Sequence, residues 1–592
     1  MVSRPLDALT VARASGRGFF AIDLSLGRLR WAESRPEDGG RILVVDERGG
    51  ELTPPGAYAR TRAHEYGGGA VWYHGADVFY SEFTDGRVHR VGHGPITPDT
   101  GDHRYADGSV SADGSTITCV RERHEGGEVL NELVSFPTDG SAAPTVVASG
   151  RDFYMAPRVA PDGRVAWLEW DHPRMPWDGT ELVLDGTLVA GGPAESVIDP
   201  QWGPDGRLHY LSDRTGWWNL YADDEQLTHL DDGEIGFPAW VFGLSRYAFL
   251  GDGRVVAVVT RSAVDDLCVL ERGELGSLGL GFTAYGWSFA TDGSRVAFAA
   301  ASPTAANQIV ELDVATGEQR VVRRSLDVDL DPSSCSMPRA IEFPTLDGEG
   351  TAHAFFYPAA EPGPLRVICH GGPTAHSTPH LDLETQFFTS RNIGVVDVNY
   401  RGSTGYGRAY RQLLNGRWGE IDWQDCVAAA RYLAEQGEAD ADRTWVEGGS
   451  AGGYVVFCAM TFDPTAFAAG VSYFGVADAE ALALHTHKFE SRYLDSMIGP
   501  YPEEQELYRQ RSPIHFAEQL ERPMLLLQGL DDKVVLPAQA EMMVEVLERK
   551  GIPYEYIAFE GEGHGFRKEA NIVRSLEATL DFVGNVFAMS PR

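Results

Sequence analysis

The 592-residue sequence predicts a β-propeller of about seven blades, followed by a domain built on a mostly parallel, doubly wound α/β sheet. Two observations predict this division. Short β-type runs separated by Asp-Gly turns fill the chain to about residue 330, and buried strands alternate with amphipathic helices after it. We therefore expect a propeller in residues 1–330, whose first 20 or so residues can pack elsewhere, and a sheet domain in residues 331–592.

The Asp-Gly turns of the first half recur at a regular spacing. They place Asp113, Asp162, Asp205, Asp252 and Asp292 at intervals of 40 to 49 residues. An Asp-Gly pair between alternating apolar residues is typical of a tight hairpin, and a repeat of this length is typical of a four-stranded propeller blade. The earlier hairpin at 78–91 extends the series, so about 300 residues give about seven blades.

The second half alternates predicted strands with predicted helices. Cys426, Ala429, Ala430 and Leu433 recur at helical spacing and predict a helix that packs on the sheet. Because such sheets are parallel, functional loops are expected at the carboxyl ends of the strands. The predicted strands are 365–370, 393–400, 444–449, 468–474, 523–529 and 554–561.

Composition and charge disfavour several classes of partner. The formal net charge of −36 would repel nucleic acid and anionic membrane surfaces. No stretch approaches the roughly 18 apolar residues of a membrane span, and the first residues lack a signal-peptide pattern, so we expect a cytoplasmic protein. The six cysteines show no short CxxC spacing, which argues against a disulfide scaffold and a zinc site. The oligomeric state is left open, with a homo-oligomer among the options.

Residues 448–452 read GGSAG and lie where a predicted strand gives way to a helix. In this setting GxSxG lifts the hydroxyl of Ser450 above the sheet, and Gly448 and Gly452 let neighbouring elements approach closely. The helix start then offers the amide of Ala451 to an oxyanion. An HGGP sequence follows the strand 365–370 and predicts the amide of Gly372 as the second donor.

A serine nucleophile needs a base and an orienting carboxylate, expected at later strand ends. Asp531 and Asp532 follow one later strand and His564 follows the next. Asp532 is preferred because a glycine three residues before it and a valine three residues after it frame it as GxxDxxV, with Asp531 in reserve. Ser450, Asp532 and His564 thus predict the triad of an α/β-hydrolase domain, which needs no metal or cofactor. A solvated turn and an unrelated loop histidine are the alternative.

The second half resembles the prolyl oligopeptidase family of serine peptidases. Five blocks occur in the order and spacing of that family: HGGP at 370–373, NYRGSTGYGRAY at 399–410, GRWGEIDWQDC at 416–426, GGSAGGY at 448–454 and GHGF at 563–566. The resemblance implies a propeller over an α/β-hydrolase domain and acyl transfer on short peptides or aminoacyl amides.

Three blocks of the first half resemble the puromycin-hydrolase-like group of that family, namely 64–72, 170–182 and 213–221. This resemblance implies an aminopeptidase that acts on free amino termini, whose substrate ammonium group needs a carboxylate. Glu65 is the candidate, with Glu169 and Asp213 behind it. A structural role, in which Glu65 caps a turn or pairs with Arg62, is the alternative.

The segment 485–502 lies between the serine and the aspartate, where inserts often line the substrate pocket. We expect a surface helix here, in preference to a metal site at His485, His487 and Glu490.

Four other functions stay open. An acylaminoacyl peptidase or an oligo-endopeptidase would use the same triad on blocked or internal positions, and a carboxylesterase would use it on esters. A binding protein would use the propeller to recruit partners, with an inactive hydrolase domain. Amide hydrolysis with free or acetylated substrates separates these functions.

Overall fold

The propeller has seven sheets, as predicted. The computed structural model of the chain describes residues 5–326 and 330–589. Within these residues each of the seven sheets is built from strands that are consecutive in sequence, and neighbouring strands are antiparallel. Six sheets have four strands, and the first has three.

The strands of the propeller follow chain order from blade 1 to blade 7. They are β1 (Phe19–Ser25), β2 (Arg28–Arg35) and β3 (Arg41–Asp46) in blade 1; β4 (Val71–His74), β5 (Asp77–Ser81), β6 (Val88–Arg90) and β7 (Gly94–Pro95) in blade 2; β8 (His103–Val110), β9 (Thr116–Glu125), β10 (Glu128–Pro137) and β11 (Thr145–Ser149) in blade 3; β12 (Phe153–Val159), β13 (Val165–Trp170), β14 (Glu181–Leu184) and β15 (Thr187–Gly191) in blade 4; β16 (Val197–Trp202), β17 (Leu208–Ser212), β18 (Asn219–Ala222) and β19 (Glu225–Gln226) in blade 5; β20 (Tyr247–Phe249), β21 (Val255–Arg261), β22 (Val264–Glu271) and β23 (Glu274–Ser277) in blade 6; and β24 (Ala284–Thr291), β25 (Arg295–Ser302), β26 (Ala305–Asp313) and β27 (Gln319–Arg324) in blade 7.

The recurring Asp-Gly turn occupies one structural position. In blades 3 to 7 it joins the first strand to the second, and the aspartate accepts a hydrogen bond of 3.0 to 3.2 Å from the amide two residues later. Each following glycine has a positive φ, which explains why glycine recurs there. The earlier turn at 85–86 differs, because it joins the second and third strands of blade 2.

Side-chain hydrogen bonds join the first strands of neighbouring blades. Asp107 in blade 3 accepts from the amide of Ala156 in blade 4 at 2.7 Å. The hydroxyl of Ser288 in blade 7 accepts from the amide of Ile22 in blade 1 at 2.8 Å. The ring of blades is therefore joined between blade 7 and blade 1 without a shared strand.

The second domain has one eight-stranded sheet in the order β28-β29-β31-β30-β32-β33-β34-β35. The first two strands are antiparallel to their neighbours and the other six are parallel. All six strands predicted from the sequence are present. The strands are β28 (Arg339–Pro344), β29 (Thr351–Tyr357), β30 (Gly363–Cys369), β31 (Gly394–Asn399), β32 (Ala439–Gly449), β33 (Ala469–Tyr473), β34 (Met524–Gly529) and β35 (Tyr554–Phe559).

Helices cover both faces of this sheet, as a doubly wound sheet requires. Along β32, Val446 belongs to the apolar cluster of α4, α5 and α9, whereas the adjacent Trp445 belongs to that of α2 and α10. The α-helices are α1 (Ala8–Ser15), α2 (Leu383–Thr389), α3 (Gly407–Arg411), α4 (Ile421–Glu435), α5 (Ala451–Phe462), α6 (Ala479–His485), α7 (Leu494–Met497), α8 (Gln505–Arg511), α9 (Ala538–Lys550) and α10 (Glu569–Val586), and 3-10 turns span Pro36–Asp38, Pro332–Ser334, Gln412–Leu414 and Pro513–Gln519.

Helix α1 precedes the first propeller strand but packs on the second domain. It contacts α2 and α10, and Arg13 forms an ion pair of 2.6 Å with Glu569. The division predicted between residues 330 and 331 falls between Arg324, where β27 ends, and Arg339, where β28 begins. It lies one residue after 327–329, which are outside the described part of the chain. No helix among the described residues has both the length and the apolar character to cross a lipid bilayer.

Candidate active site

Ser450 lies at the sharp turn between β32 and α5. Its backbone has φ 56° and ψ −120°, a conformation that residues other than glycine rarely adopt. Two backbone hydrogen bonds hold the turn in place. The amide of Ser450 donates to the carbonyl of Tyr473 at 3.0 Å, and the carbonyl of Ser450 accepts from the amide of Tyr454 at 3.0 Å. The strain is therefore supported on both sides, as expected where a side chain must project from the sheet.

The glycines around Ser450 are required by close packing. A Cβ on residue 452 would lie 2.1 Å from the carbonyl oxygen of Cys369, at the end of β30. A Cβ on residue 448 would lie 2.7 Å from the same oxygen. The turn thus reaches its position only because α5 and β32 can approach β30 without side chains at these two positions.

Asp532 is the buried member of the Asp-Asp pair. The residue is 1% exposed, and its Oδ1 accepts hydrogen bonds from the amides of Val534 and Val535 at 2.8 and 3.0 Å. Asp531 is exposed. Gly529 explains the GxxD spacing, since a Cβ there would lie 2.4 Å from the carbonyl oxygen of Gly563 in the loop that carries the histidine.

His564 lies between the other two predicted residues and contacts both. Its Nε2 is 2.9 Å from the hydroxyl of Ser450, and its Nδ1 is 2.8 Å from Oδ2 of Asp532. The ring of Phe474 packs against the imidazole, with centroids 4.6 Å apart. This arrangement can move a proton from the serine to the imidazole while the aspartate holds the imidazole in the required orientation.

The predicted oxyanion donors lie beside the serine. Ala451 is the first residue of α5, so its amide has no acceptor within the helix and is free to donate to a ligand. Gly372 lines the same cavity as Ser450. The loop is anchored by His370, whose Nε2 is 2.7 Å from the hydroxyl of Ser403 in the Arg-Gly-Ser block. Burial lowers the pKa of His370 to about 4, so its ring is neutral at neutral pH.

A mostly apolar cavity opens beside Ser450, and Glu490 is the one carboxylate among the described residues that line it. The insert between β33 and β34 supplies that carboxylate together with much of the apolar wall. The other lining residues are Gly372, Pro373, Trp418, Ala451, Val476, Leu482, Tyr493, Leu494 and Val535.

Glu490 has no cationic partner among the described residues. Its Oε1 accepts a hydrogen bond of 2.5 Å from Tyr66 of the propeller, and its Oε2 is 3.8 Å from Nε2 of His487. Burial lowers the pKa of His487 to about 3, so this imidazole carries no charge at neutral pH. Burial also raises the pKa of Glu490 to about 7, opposed by the hydrogen bond from Tyr66. A buried, unpaired carboxylate in a cavity is a candidate site for a cation.

The structure does not bring Glu65 into this cavity. Its carboxylate accepts a hydrogen bond of 2.6 Å from Arg104, where the sequence suggested Arg62 as the structural partner. Asp213 is 1% exposed and pairs with Arg408 at 2.5 Å and Arg411 at 2.7 Å, which ties the propeller to the second domain.

Glu169, the other reserve candidate, lies 3.3 Å from Arg151. Each of the three carboxylates predicted from the sequence therefore has an arginine partner.

The prediction of a surface helix at 485–502 is wrong. Helix α6 ends at His485, α7 covers only Leu494–Met497, and the residues between them turn inward so that His487 and Glu490 are buried. Among the described residues, no three or more His, Cys, Asp or Glu side chains are grouped to hold a metal ion. The position of this insert between the serine and the aspartate was the signal in the sequence that pointed to Glu490.

Comparisons with known proteins agree on one family. The model of the prolyl oligopeptidase family matches residues 379–590. A puromycin-hydrolyzing peptidase of Mycobacterium tuberculosis has a solved structure that is 37% identical, with a TM-score of 0.94 over 99% of this chain and 97% of that one. A puromycin hydrolase variant complexed with PGG is 36% identical, with a TM-score of 0.93 over 99% and 97% of the two chains.

The match to a curated relative covers a smaller part of the chain. Dipeptidyl aminopeptidase BIII of Pseudoxanthomonas mexicana is 31% identical over 244 residues, which are 40% of this chain and 34% of that protein. The chain thus spans about a third of the length of this relative. The puromycin-hydrolyzing structures, in contrast, match 99% of the chain, from the propeller to the last helix. Their sequence identity of 36 to 37% indicates common descent. The chain belongs to the prolyl oligopeptidase family of serine peptidases.

Proposed function

We propose that the protein is a serine aminopeptidase that hydrolyses short peptides or aminoacyl amides with a free amino terminus. The observation that carries this proposal is the line of contacts from Ser450 through His564 to Asp532, at 2.9 and 2.8 Å. Family membership and the likeness to puromycin-hydrolyzing peptidases support it. A cytoplasmic location stays a prediction, and the oligomeric state stays open.

The reaction proceeds by acyl transfer. The hydroxyl of Ser450 attacks the substrate carbonyl while His564 takes its proton at Nε2. The amides of Ala451 and Gly372 stabilise the oxyanion of the tetrahedral intermediate. His564 then delivers the proton to the leaving nitrogen, and a water molecule, activated by the same imidazole, releases the acyl group from the serine.

Glu490 is the carboxylate that we propose for the substrate ammonium group, in place of Glu65. The α-ammonium of a substrate cleaved after its first residue is one carbon away from the carbonyl that Ser450 attacks. Its anchor must therefore lie in the same cavity as the serine, where Glu490 lies. A dipeptidyl peptidase would need its anchor one residue farther away, about 3.3 to 3.6 Å along an extended chain. We infer that single amino acids are released.

The test is hydrolysis of aminoacyl and dipeptidyl p-nitroanilides with free or acetylated amino termini, with Ser450→Ala as the blank. We expect turnover of free aminoacyl substrates only. Glu490→Gln should raise KM for them about tenfold or more, as expected when a charge-assisted hydrogen bond is lost, whereas Glu65→Gln should not. Equal cleavage of acetylated substrates would instead indicate an acylaminoacyl peptidase or an endopeptidase, and turnover of esters alone a carboxylesterase.

A further inference from the structure

Three arginines, Arg60, Arg62 and Arg567, lie together at the junction between the propeller and the loop of the catalytic histidine. The guanidinium groups of Arg60 and Arg62 lie over the ring of Phe83, 4.8 and 4.9 Å from its centroid. Arg60 donates a hydrogen bond of 3.2 Å to Tyr58, whose hydroxyl donates to the carbonyl of Gly40 at 3.2 Å.

Arg567 comes close to the same turn of blade 1. A Cβ on residue 40 would lie 2.5 Å from the Cβ of Arg567. The charge of Arg60 adds to burial in lowering the pKa of Arg567. These contacts place the three arginines in one cluster, which we call the arginine cluster.

The arginine cluster forms no ion pair with a carboxylate within the described part of the chain. No carboxylate there lies within ion-pair distance of these three residues, although the chain has 86 acidic and 50 basic residues, His excluded. Neighbouring Arg104, in contrast, pairs with Glu65 and Glu122. Although Arg62 is exposed, partial desolvation and the charge of Arg104 lower its pKa; Glu65 opposes this shift and Arg60 adds to it. Glu65 offsets part of the repulsion at Arg62, and Glu562 and Asp532 offset part of it at Arg567, without forming an ion pair with either guanidinium group. Because like charges held together repel one another, a bound anion would stabilise the cluster further.

The position of the cluster indicates which end of a substrate it meets. His564 delivers its proton to the leaving nitrogen, so the leaving part of the substrate lies on the side of this imidazole. Arg567 is three residues after His564 on the same loop, and its Nη1 donates to the carbonyl of Gly565 at 3.2 Å. The turn that begins at Arg62 leads to Tyr66, whose ring centroid is 6.5 Å from that of His564.

We propose that Arg60, Arg62 and Arg567 bind the C-terminal carboxylate of the leaving peptide. The planar guanidinium group donates in pairs to a carboxylate, and stacking on Phe83 orients two of the three groups in advance. The ligand is thus the free carboxylate of a short peptide, and the protein recognises both ends of its substrate. This inference rests on the proposed aminopeptidase function and adds a second recognition site to it.

The experiment compares one tripeptide with its C-terminal amide. The substrate is the preferred first residue from the p-nitroanilide series followed by Gly-Gly, as the acid or the amide. We expect the unmodified enzyme to cleave the acid with about tenfold higher kcat/KM, because charge-assisted hydrogen bonds to a carboxylate are lost with the amide. Arg567→Gln and Arg62→Gln should remove this preference, mainly through KM of the acid.

Two controls separate this site from the catalytic machinery. The aminoacyl p-nitroanilide carries no carboxylate, so its hydrolysis should be the same in all variants and reports on the triad. Arg272→Gln removes the same charge from the exposed hairpin between β22 and β23, and should keep the preference for the acid. Because Arg62 is exposed, its variant carries the test if Arg567→Gln fails to fold.

Three results would overturn the inference. Equal cleavage of acid and amide by the unmodified enzyme would remove the carboxylate site and leave the aminopeptidase function standing. A parallel loss of p-nitroanilide hydrolysis in both arginine variants would show that these residues position the histidine loop instead. Absence of any cleavage of free-amine substrates would overturn the proposed function itself.

Discussion

Tyr66 of the propeller donates a hydrogen bond of 2.5 Å to Glu490 of the hydrolase domain, across 424 residues of sequence. A carboxylate that lines the cavity beside Ser450 is therefore held by a residue of the propeller. The bond also stabilises the charged form of Glu490, since it lowers a pKa that burial raises to about 7. A residue of the propeller thus influences the charge of the proposed substrate anchor.

The first prediction concerns the pH dependence of KM. The carboxylate of Glu490 attracts an ammonium group only when it is ionised, and its pKa is about 7. We expect KM for a free aminoacyl p-nitroanilide to rise as the pH falls from 8 to 6, and this rise to disappear in Glu490→Gln. Steady-state kinetics at several pH values measure it. A KM that stays constant over this range would contradict the role of Glu490.

Tyr66→Phe should move this KM profile to higher pH, because it removes the hydrogen bond that lowers the pKa of Glu490. Tyr73→Phe is the matched control. The buried hydroxyl of Tyr73 has no hydrogen-bond partner in the described structure, so its removal should leave KM unchanged. If both variants shift the profile equally, the cause is not the bond to Glu490.

A second prediction follows for folding stability. The pKa of Glu490 is raised from its usual 4.5 to about 7 in the folded protein, so its contribution to stability is fully present below about pH 4.5 and is lost as the pH rises through 7. Glu490→Gln should therefore be the more stable protein at pH 8, by up to about 3 kcal/mol. Urea unfolding of both proteins at pH 5 and 8 measures the difference, which should be smaller at pH 5. A variant less stable at pH 8 would make Glu490 a structural residue.

The third prediction separates the two adjacent aspartates. Asp532→Asn should lower kcat by about four orders of magnitude, because an amide cannot hold the imidazole in the required tautomer. Asp531→Asn should have little effect, since this side chain is exposed. Hydrolysis of the best p-nitroanilide measures both, and a large loss in the Asp531 variant alone would reassign the carboxylate.

The sequence predicted the features that depend on residues close together in the chain. The Asp-Gly turns and the Ser450 turn depend on residues a few positions apart, so each pattern specifies its own geometry. Glu490, in contrast, was expected from the sequence to lie on a surface helix. Its burial depends on Tyr66, 424 residues away, and on the fold of the whole insert. Glu65 was predicted as the anchor of the ammonium group because the sequence did not reveal its arginine partner. That partner, Arg104, lies in another blade.

The last prediction concerns the glycines that shape the Ser450 turn. Gly452→Ala would place a Cβ 2.1 Å from the carbonyl oxygen of Cys369, an approach that backbone atoms cannot accommodate without moving β30 or α5. We expect a lower melting temperature and a loss of activity that exceeds the loss of folded protein, since the same movement displaces Ser450. Circular dichroism melting and active-site titration measure the two effects.

Gly584→Ala is the matched control for that substitution. Gly584 lies in α10, and a Cβ there would meet no atom within 4 Å. Alanine is favoured over glycine inside a helix by about 1 kcal/mol, so this variant should melt at a higher temperature with unchanged activity. If both variants behaved alike, the glycine at 452 would act only through chain flexibility, and close packing would not be the reason for the GxSxG pattern. Opposite shifts in melting temperature, with activity lost only at 452, are what the contact with Cys369 requires.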